Sequence, residues 1–214
     1  MRQESAGVTE ALLESAKAEF LRYGFHNANL RRISADSGVS TNSVYTRFGD
    51  KSGLFTAVVK PAADGLMKIY LDSINEASGS KNAAAATGMG DEGTELVLRY
   101  IYGNFDVFRL IFCNSAGTEY EHYFDKLAET EEHYYREFAK QFAKDGHSVS
   151  DFFVHVVCRT GWQYIYEVIS HDIPFLNSVV NLIYHMDNLQ LNRYVGNYDK
   201  FEEVYAVKKA QLEA

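Results

Sequence analysis

The stretch LRRISADSGVSTNSVYTRFGDKSGLF, Leu30 to Phe55, decides how the first part of this chain folds. Asn29 and Ser40 are N-cap residue types, and each precedes a short amphipathic segment. Gly38 lies between these segments and can adopt the positive φ that ends a helix. The stretch therefore predicts two short helices, LRRISADS and TNSVYTRF, joined by a tight turn.

Outward from this turn, the pattern is that of a DNA-reading helix-turn-helix. Ser34 is the small residue that a close helix crossing needs, while Val39 and Val44 are apolar and can be buried. The second helix has an outward face of hydroxyl, amide, phenol and guanidinium groups, which can reach phosphates or base edges. The candidate DNA-contacting residues are Asn29, Arg31, Thr41, Asn42, Ser43, Tyr45, Thr46, Arg47 and Lys51.

The charge of the chain is divided unevenly along its length. The net charge is -8, but residues 1–60 hold eight Lys and Arg against six Asp and Glu. The acidity therefore belongs to the rest of the chain, which holds 13 basic and 23 acidic residues. We expect the first part to engage DNA while the acidic remainder is repelled by the duplex.

A first helix ending in YGF, followed by the stretch above, resembles the N-terminal domain of the tetracycline-repressor (TetR) family of bacterial transcription regulators. The resemblance implies a DNA-binding domain at 1–50 and a helical domain at 51–214 that binds a small-molecule effector and dimerises. It implies a homodimeric repressor that is released from a pseudo-palindromic operator by that effector. Ser34, Gly49, Thr46 and Arg47 depart from the usual family residues, which leaves the operator sequence open.

The whole chain is predicted to be all-α, because it has two prolines and its apolar residues recur at spacings of three and four. The predicted N-terminal elements are a helix capped by Thr9 and ended by Gly24, the two helices of the turn, and a helix from Lys51 to about Ser78. A loop that can hold a short helix follows from Ser78 to Gly93. The later predicted elements are two short helices broken around Gly103 to Phe105, and helices over 118–144, 149–170, 174–195 and 198–213.

The C-terminal domain is rich in aromatic residues with scattered polar groups, as effector pockets are. The ligand-binding candidates are Tyr100, Asn104, Phe108, His122, Tyr123, Trp162 and Tyr166; ordinary core packing is the alternative for each. Two apolar rows on the helix predicted at 174–195 suggest a dimer contact, which fits the four-helix interface that the resemblance implies. The dimer candidates are Phe175, Val179, Leu182, Met186 and Leu189; the alternative is a buried core helix.

Other function classes find little support in the residues. Glu119 and His122 form one Glu-x-x-His without the second copy that di-iron helical bundles use. There is no phosphate-binding loop, no GxSxG and no dinucleotide fingerprint, so we expect no enzyme, no cofactor and no metal. A helical DNA-binding adaptor without a ligand stays open, and a small metal-binding or ligand-binding enzyme is a weaker alternative. Cys113 and Cys158 have no metal spacing and no apolar leader or span occurs, so we expect a cytoplasmic protein with no membrane partner.

Overall fold

The computed structural model gives the chain two compact units, residues 1–166 and 167–214. The residues that it describes are 6–79, 83–142, 148–171, 182–187, 190–197, 199–201, 203–205 and 207. Its elements are α1 (Ala6–Asn27), α2 (Leu30–Ser37), α3 (Thr41–Phe48), α4 (Lys51–Gly79), α5 (Ala83–Gly103), α6 (Phe105–Cys113), α7 (Tyr123–Phe142), α8 (Asp151–Ser170), β1 (Leu182–Asp187) and β2 (Gln190–Val195). The helical architecture predicted from the sequence is confirmed across the first unit.

Helix α1 begins earlier than the sequence suggested. Thr9 lies inside the helix and is not its N-cap, because the first turn starts at Ala6. Gly24 interrupts the helix with φ 70 and ψ 166, a conformation that glycine adopts without a Cβ clash. Leu12, Ala16 and Phe20 repeat at a spacing of four and are fully buried, so α1 has one face in the core.

Helix α4 is the central element of the first unit. The Asp50 carboxylate accepts a hydrogen bond from the Gly53 N–H at 2.8 Å, which confirms the predicted N-cap. Leu54, Phe55 and Leu66 are fully buried, and α4 packs against α1, α3, α5, α6 and α7. A displacement of α4 would therefore also displace α1 and the later helices that pack against it.

The segment from Ser78 to Gly93 was predicted as a loop that can hold a short helix; the loop is wrong over residues 83–93, where the chain forms the start of the long helix α5. The alanine run has the highest intrinsic helix propensity, which outweighs the glycines that suggested a loop. Packing explains the glycine at position 93, because a Cβ added there would lie 2.7 Å from the Ser73 Cβ on α4. Glycine in this segment therefore permits a close approach between two helices. The predicted break between α5 and α6 is confirmed at Asn104.

The helix predicted at 174–195 is wrong for 182–187 and 190–195, which form an antiparallel hairpin. Leu182, Tyr184 and Met186 alternate along β1, and Leu182 pairs with Val195 while Met186 pairs with Leu191. The same residues also fit helical spacing, so the apolar pattern alone could not distinguish the two structures. The hairpin belongs to the second unit.

Candidate nucleic-acid interface and first-unit cavity

The turn between α2 and α3 is built as the sequence predicted. The Asn29 side chain accepts a hydrogen bond from the Arg31 N–H, and the Ser40 side chain accepts one from the Ser43 N–H. Gly38 has φ 67 and ψ 15, which is the left-handed conformation of a helix C-cap. Caps and turn together fix the start of α3, the helix that would enter a DNA groove.

Helices α1 and α2 are fastened by a buried carboxylate. Glu19 is 5% exposed and accepts hydrogen bonds from the Asn29 N–H and the Arg32 Nε–H, each at 2.8 Å. The Arg32 guanidinium also lies over the Tyr23 ring, 4.3 Å from its centroid. A charged carboxylate paired in this way gives α2 a defined position against α1. We call α1, α2 and α3 the reading head.

The outward face of α3 is polar and accessible. Tyr45 is 55% exposed, and Asn42 and Thr46 are exposed as well. Thr41 and Ser43 are half-buried in the first turn of the helix. Arg31 is exposed on α2. These side chains share the accessible surface on which the sequence placed DNA contacts.

Two of the predicted DNA-contacting cations hold the reading head together. Arg47 Nη1 donates to the Thr9 hydroxyl on α1 at 2.9 Å. Lys51 Nζ donates to the carbonyls of His26 and Ala28, at 3.0 and 3.3 Å, and lies 4.7 Å from the centroid of the Phe25 ring. Asn29 likewise acts as a cap. The cap was predicted from the sequence, whereas the structural roles of Arg47 and Lys51 were not, because they depend on α1 passing beside them.

The Ser34 hydroxyl is a weak point in the helix crossing. Its oxygen is buried and has no hydrogen-bond partner among the described residues. Ser37, one turn later, donates to the Ile33 carbonyl at 2.8 Å and accepts from the Val39 N–H at 3.3 Å. The small size of Ser34 satisfies the crossing, whereas its hydroxyl is desolvated without compensation.

Four of the seven ligand-binding candidates belong to one aromatic network. Tyr100 lies 6.1 Å from Phe108, which lies 6.0 Å from Phe112. Phe112 in turn lies 6.4 Å from both Tyr123 and Tyr166. Phe108 is fully buried, so it packs in the core. Ring-to-ring packing at these distances stabilises the helices against each other.

The other three candidates lie apart from that network. Asn104 precedes α6 and donates from Nδ2 to the Tyr100 carbonyl at 2.9 Å. The His122 side chain is 81% exposed and lies 3.5 Å from an Asp125 oxygen. Trp162 is 3% exposed and meets Tyr70 edge-on at 5.6 Å. The seven candidates chosen from the sequence therefore lie in three different settings, which are the core, the surface and the start of a helix.

A cavity of about 630 Å³ lies in the first unit, between α4 and α7. It is lined by Lys60, Ala63, Asp64, Glu119, Tyr120, His122, Tyr123, Asp125, Lys126, Glu129 and Arg159. Only His122 and Tyr123 were candidates from the sequence. The charged lining was missed because a search for aromatic residues ignores charged helix faces, which in most proteins only meet solvent.

Ion pairs and hydrogen bonds organise the cavity wall. Lys60 pairs with Asp64 at 2.9 Å, which raises the pKa of Lys60, and Arg159 pairs with Asp125 at 2.6 Å. The Tyr123 hydroxyl donates to the Ala63 carbonyl at 2.7 Å, and burial raises its pKa. A ligand in this cavity would meet both signs of charge.

The cavity is connected to the reading head by an aromatic chain. Tyr120 lines the cavity and lies 6.2 Å from Phe55 at the start of α4. Phe55 lies 5.0 Å from Phe20 and 5.4 Å from Phe25, both in α1. The Thr56 hydroxyl also donates to the Glu119 carboxylate at 2.9 Å. A shift of the turn that carries Tyr120 would therefore press on α1 and α4.

The dimer candidates are not gathered into one helix face. Phe175, Val179 and Leu189 lie outside the described residues. Leu182 and Met186 lie in β1 and not in a helix. An exposed apolar face was instead missed on α8, where the exposed large apolar side chains include Phe152, Phe153, Val156, Val157 and Tyr164. Their accessibility could not be read from the sequence, because the opposite face of α8 is apolar too.

The described residues contain neither a metal-type cluster nor a membrane-spanning helix. Within them, no three His, Cys, Asp or Glu side chains are gathered as a metal site would need. Among the helices of the same ranges, none has the length and apolar character that crossing a bilayer requires.

Residues 12–58 match the family model for bacterial regulatory proteins of the tetR family. Over these residues the chain is similar to the DNA-binding domain of the tetR family. The match covers α2 and α3 completely, together with most of α1 and the start of α4. The resemblance recognised from the helix-turn-helix stretch is confirmed for this part of the chain.

Individual proteins resemble different parts of the chain. The HTH-type transcriptional repressor AcnR of Corynebacterium glutamicum is 28% identical over 64 residues, 30% of this chain and 34% of AcnR. The structure of PfmR, a TetR family transcriptional regulator from Thermus thermophilus, matches with a TM-score of 0.51 at 18% identity, over 73% of this chain and 85% of that one. Because the identity is only 18%, the similarity to PfmR shows a shared fold alone.

A third relative carries the name of an ABC transporter ATP-binding protein and not that of a transcription regulator. An uncharacterized ABC transporter ATP-binding protein of Bacillus subtilis, YfmM, is 72% identical over 47 residues, which make up 22% of this chain and 9% of YfmM. The chain thus spans only a small part of the length of the curated relatives that it matches.

Proposed function

We propose that this chain is a homodimeric repressor that binds a pseudo-palindromic operator through α3 and is released by a small molecule bound in the first-unit cavity. The observation that carries the proposal is the reading head, in which two capped helices and a left-handed glycine hold a polar, exposed face outward. The match of residues 12–58 to the tetR family supports the same conclusion. Nothing in the proposal needs catalysis by the chain.

The contacts with DNA divide into two kinds. Tyr45 is the most accessible large side chain of α3, which suits a contact to a phosphate. Asn42 and Thr46 are exposed beside it and can reach base edges. Arg47 is held against Thr9, so we assign it mainly to the stability of the reading head and only secondarily to base recognition.

A dimer is needed because one small reading head makes few contacts, whereas two heads about 34 Å apart read two half-sites. We place the dimer contact on the α8 face rather than on the residues predicted from 174–195. Phe152 is 77% exposed and Phe153 is 59% exposed, and Tyr164, further along the helix, is 71% exposed. Such a row of accessible apolar side chains is typical of a surface that another protein covers.

The effector would act through the turn that carries Tyr120. The cavity has the size of a small-molecule site and presents both cationic and anionic groups. A ligand that displaces Tyr120 changes its contact with Phe55 and hence the position of α1. Because operator binding needs a fixed distance between two reading heads, a small displacement in each subunit is sufficient for release. A charged cavity of this size also favours a ligand-responsive regulator over an adaptor without a ligand.

The test compares Tyr45→Ala with a matched control, Tyr102→Ala. Tyr102 lies in α5 and is 57% exposed, close to the 55% of Tyr45, so the two changes remove equally accessible phenol rings. Binding is measured by fluorescence anisotropy with the duplex that flanks the protein's own gene. We expect Tyr45→Ala to weaken binding about tenfold or more to every duplex, since phosphate contacts carry no sequence information.

The control is expected to leave the affinity unchanged. Equal affinities for Tyr45→Ala and Tyr102→Ala would contradict the assignment of α3 as the reading helix. Sedimentation of the same proteins checks that both remain dimers, so that a loss of binding is not a loss of assembly.

A further inference from the structure

The second unit has no part in the regulator proposed above. It comprises residues 167–214, and its described backbone includes the hairpin of β1 and β2 and helical residues at 199–201 and 203–205. The DNA-reading helix and the cavity both belong to the first unit. The origin and role of the second unit are therefore separate questions.

The lengths of the similarities indicate where each one falls. The family model ends at residue 58, and the similarity to PfmR covers 73% of the chain, compared with 166 of 214 residues in the first unit. The YfmM similarity spans 47 residues, and we assign it to the second unit, which has 48 residues and lies outside the tetR match. The 72% identity to this ABC-type protein is far above the 18% of PfmR and the 28% of AcnR.

We infer that the chain joins two different proteins near residue 167: a tetR-type regulator, and a segment of an ABC-type ATP-binding protein that keeps the packing surface of that class without a nucleotide site. Helix α8 crosses the boundary and ends at Ser170, and the type of described structure differs beyond it. The first unit is helical in all its described elements, whereas the second contains a hairpin at the place where a further regulator helix was predicted.

The second unit cannot hold a nucleotide by itself. The sequence contains no G-x-x-x-x-G-K-[ST] motif in any of its 214 residues, so it lacks the backbone cradle and lysine that bind the phosphates. The segment also corresponds to only 9% of YfmM. The property that we expect the second unit to share with the matching segment of YfmM is therefore the surface through which it packs against other parts of a protein.

The hairpin of β1 and β2 needs other structure to pack against. Among the described residues the two six-residue strands pair only with each other, and an isolated two-stranded hairpin is marginally stable in water. Val195 is 69% exposed, and it pairs with Leu182 across the hairpin. In YfmM the remainder of the protein is available to cover such a surface, whereas a unit of 48 residues has little core of its own.

The experiment grafts residues 168–214 into full-length YfmM in place of its matching 47 residues. The matched control carries the same segment with the residues of 182–187 and of 190–195 shuffled, which keeps composition and length but breaks the strand alternation. We expect the graft to bind a fluorescent ATP analogue within about threefold of unmodified YfmM and to melt within a few degrees of it. The shuffled control should melt lower.

Two results would overturn the inference. One is a graft that unfolds or loses ATP binding as the shuffled control does. The other is saturable binding of the same ATP analogue to the unmodified full chain with a Kd below about 100 μM, since this would show a nucleotide site. Neither ATP-analogue binding nor the melting temperature involves DNA. A failure of operator binding would therefore contradict the proposed regulator without affecting this inference. A failure of the graft would contradict this inference without affecting the proposed regulator.

Discussion

Replacing Ser34 with alanine should stabilise the protein. The Ser34 oxygen is buried without a partner among the described residues, so the folded state bears a desolvation cost that the unfolded chain avoids. A hydroxyl buried without a hydrogen bond costs about 1 to 3 kcal/mol in proteins. Removing it loses a few van der Waals contacts, which leaves a net gain of about 1 kcal/mol in the free energy of unfolding. For a chain of this length, that gain corresponds to a rise of about 2 to 4 °C in Tm.

The matched control is Ser37→Ala, the same substitution three residues later. The Ser37 hydroxyl donates to the Ile33 carbonyl and accepts from the Val39 N–H, so its removal should cost about 0.5 to 1.5 kcal/mol. Urea unfolding and scanning calorimetry measure both variants against the wild type. The reasoning is refuted if Ser34→Ala lowers the free energy of unfolding as much as Ser37→Ala does, because Ser34 would then have a partner.

Two further predictions concern the helices of the first unit. Burial raises the pKa of Glu131 to about 7, so its protonated form stabilises the folded state at low pH and this contribution is lost as pH rises through 7. The unfolding free energy should fall by about 2 to 3 kcal/mol between pH 4 and pH 8 relative to Glu131→Gln, as measured by urea titration; parallel pH profiles would contradict this. Phe153→Glu should weaken the dimer at least about tenfold in analytical ultracentrifugation, because it places a charge in an apolar contact. Leu96→Glu, on exposed Leu96 of α5, should leave the dimer intact, and equal effects would refute the α8 interface.

The reading head could be predicted in detail because its signals are local. Asn29, Gly38, Ser40 and Asp50 act within a few residues of the turn or cap that they form, and the structure has all four in their predicted roles. The roles of Arg47 and Lys51 could not be predicted in the same way. Their partners lie 23 to 38 residues away, so only the folded chain brings them together.

The later part of the chain was predicted less well for two physical reasons. A glycine-rich and alanine-rich segment reads as a loop unless its neighbour is known, and Ser73 on α4 supplies the reason for Gly93. The residues 182–195 fit both a helical and an alternating pattern, and strand pairing resolved the ambiguity. Effector contacts were sought among aromatics, whereas the cavity is lined mainly by charged residues.

The most direct test of the account is the sequence specificity of DNA binding by the unmodified chain. Fluorescence anisotropy compares the duplex that flanks its gene with a shuffled duplex of the same composition, at two salt concentrations. The account predicts a native duplex bound at least about 10³-fold more tightly than the shuffled one, with affinity for both falling steeply as salt rises. Equal affinity for the two duplexes, or no salt-dependent binding to either, would contradict it.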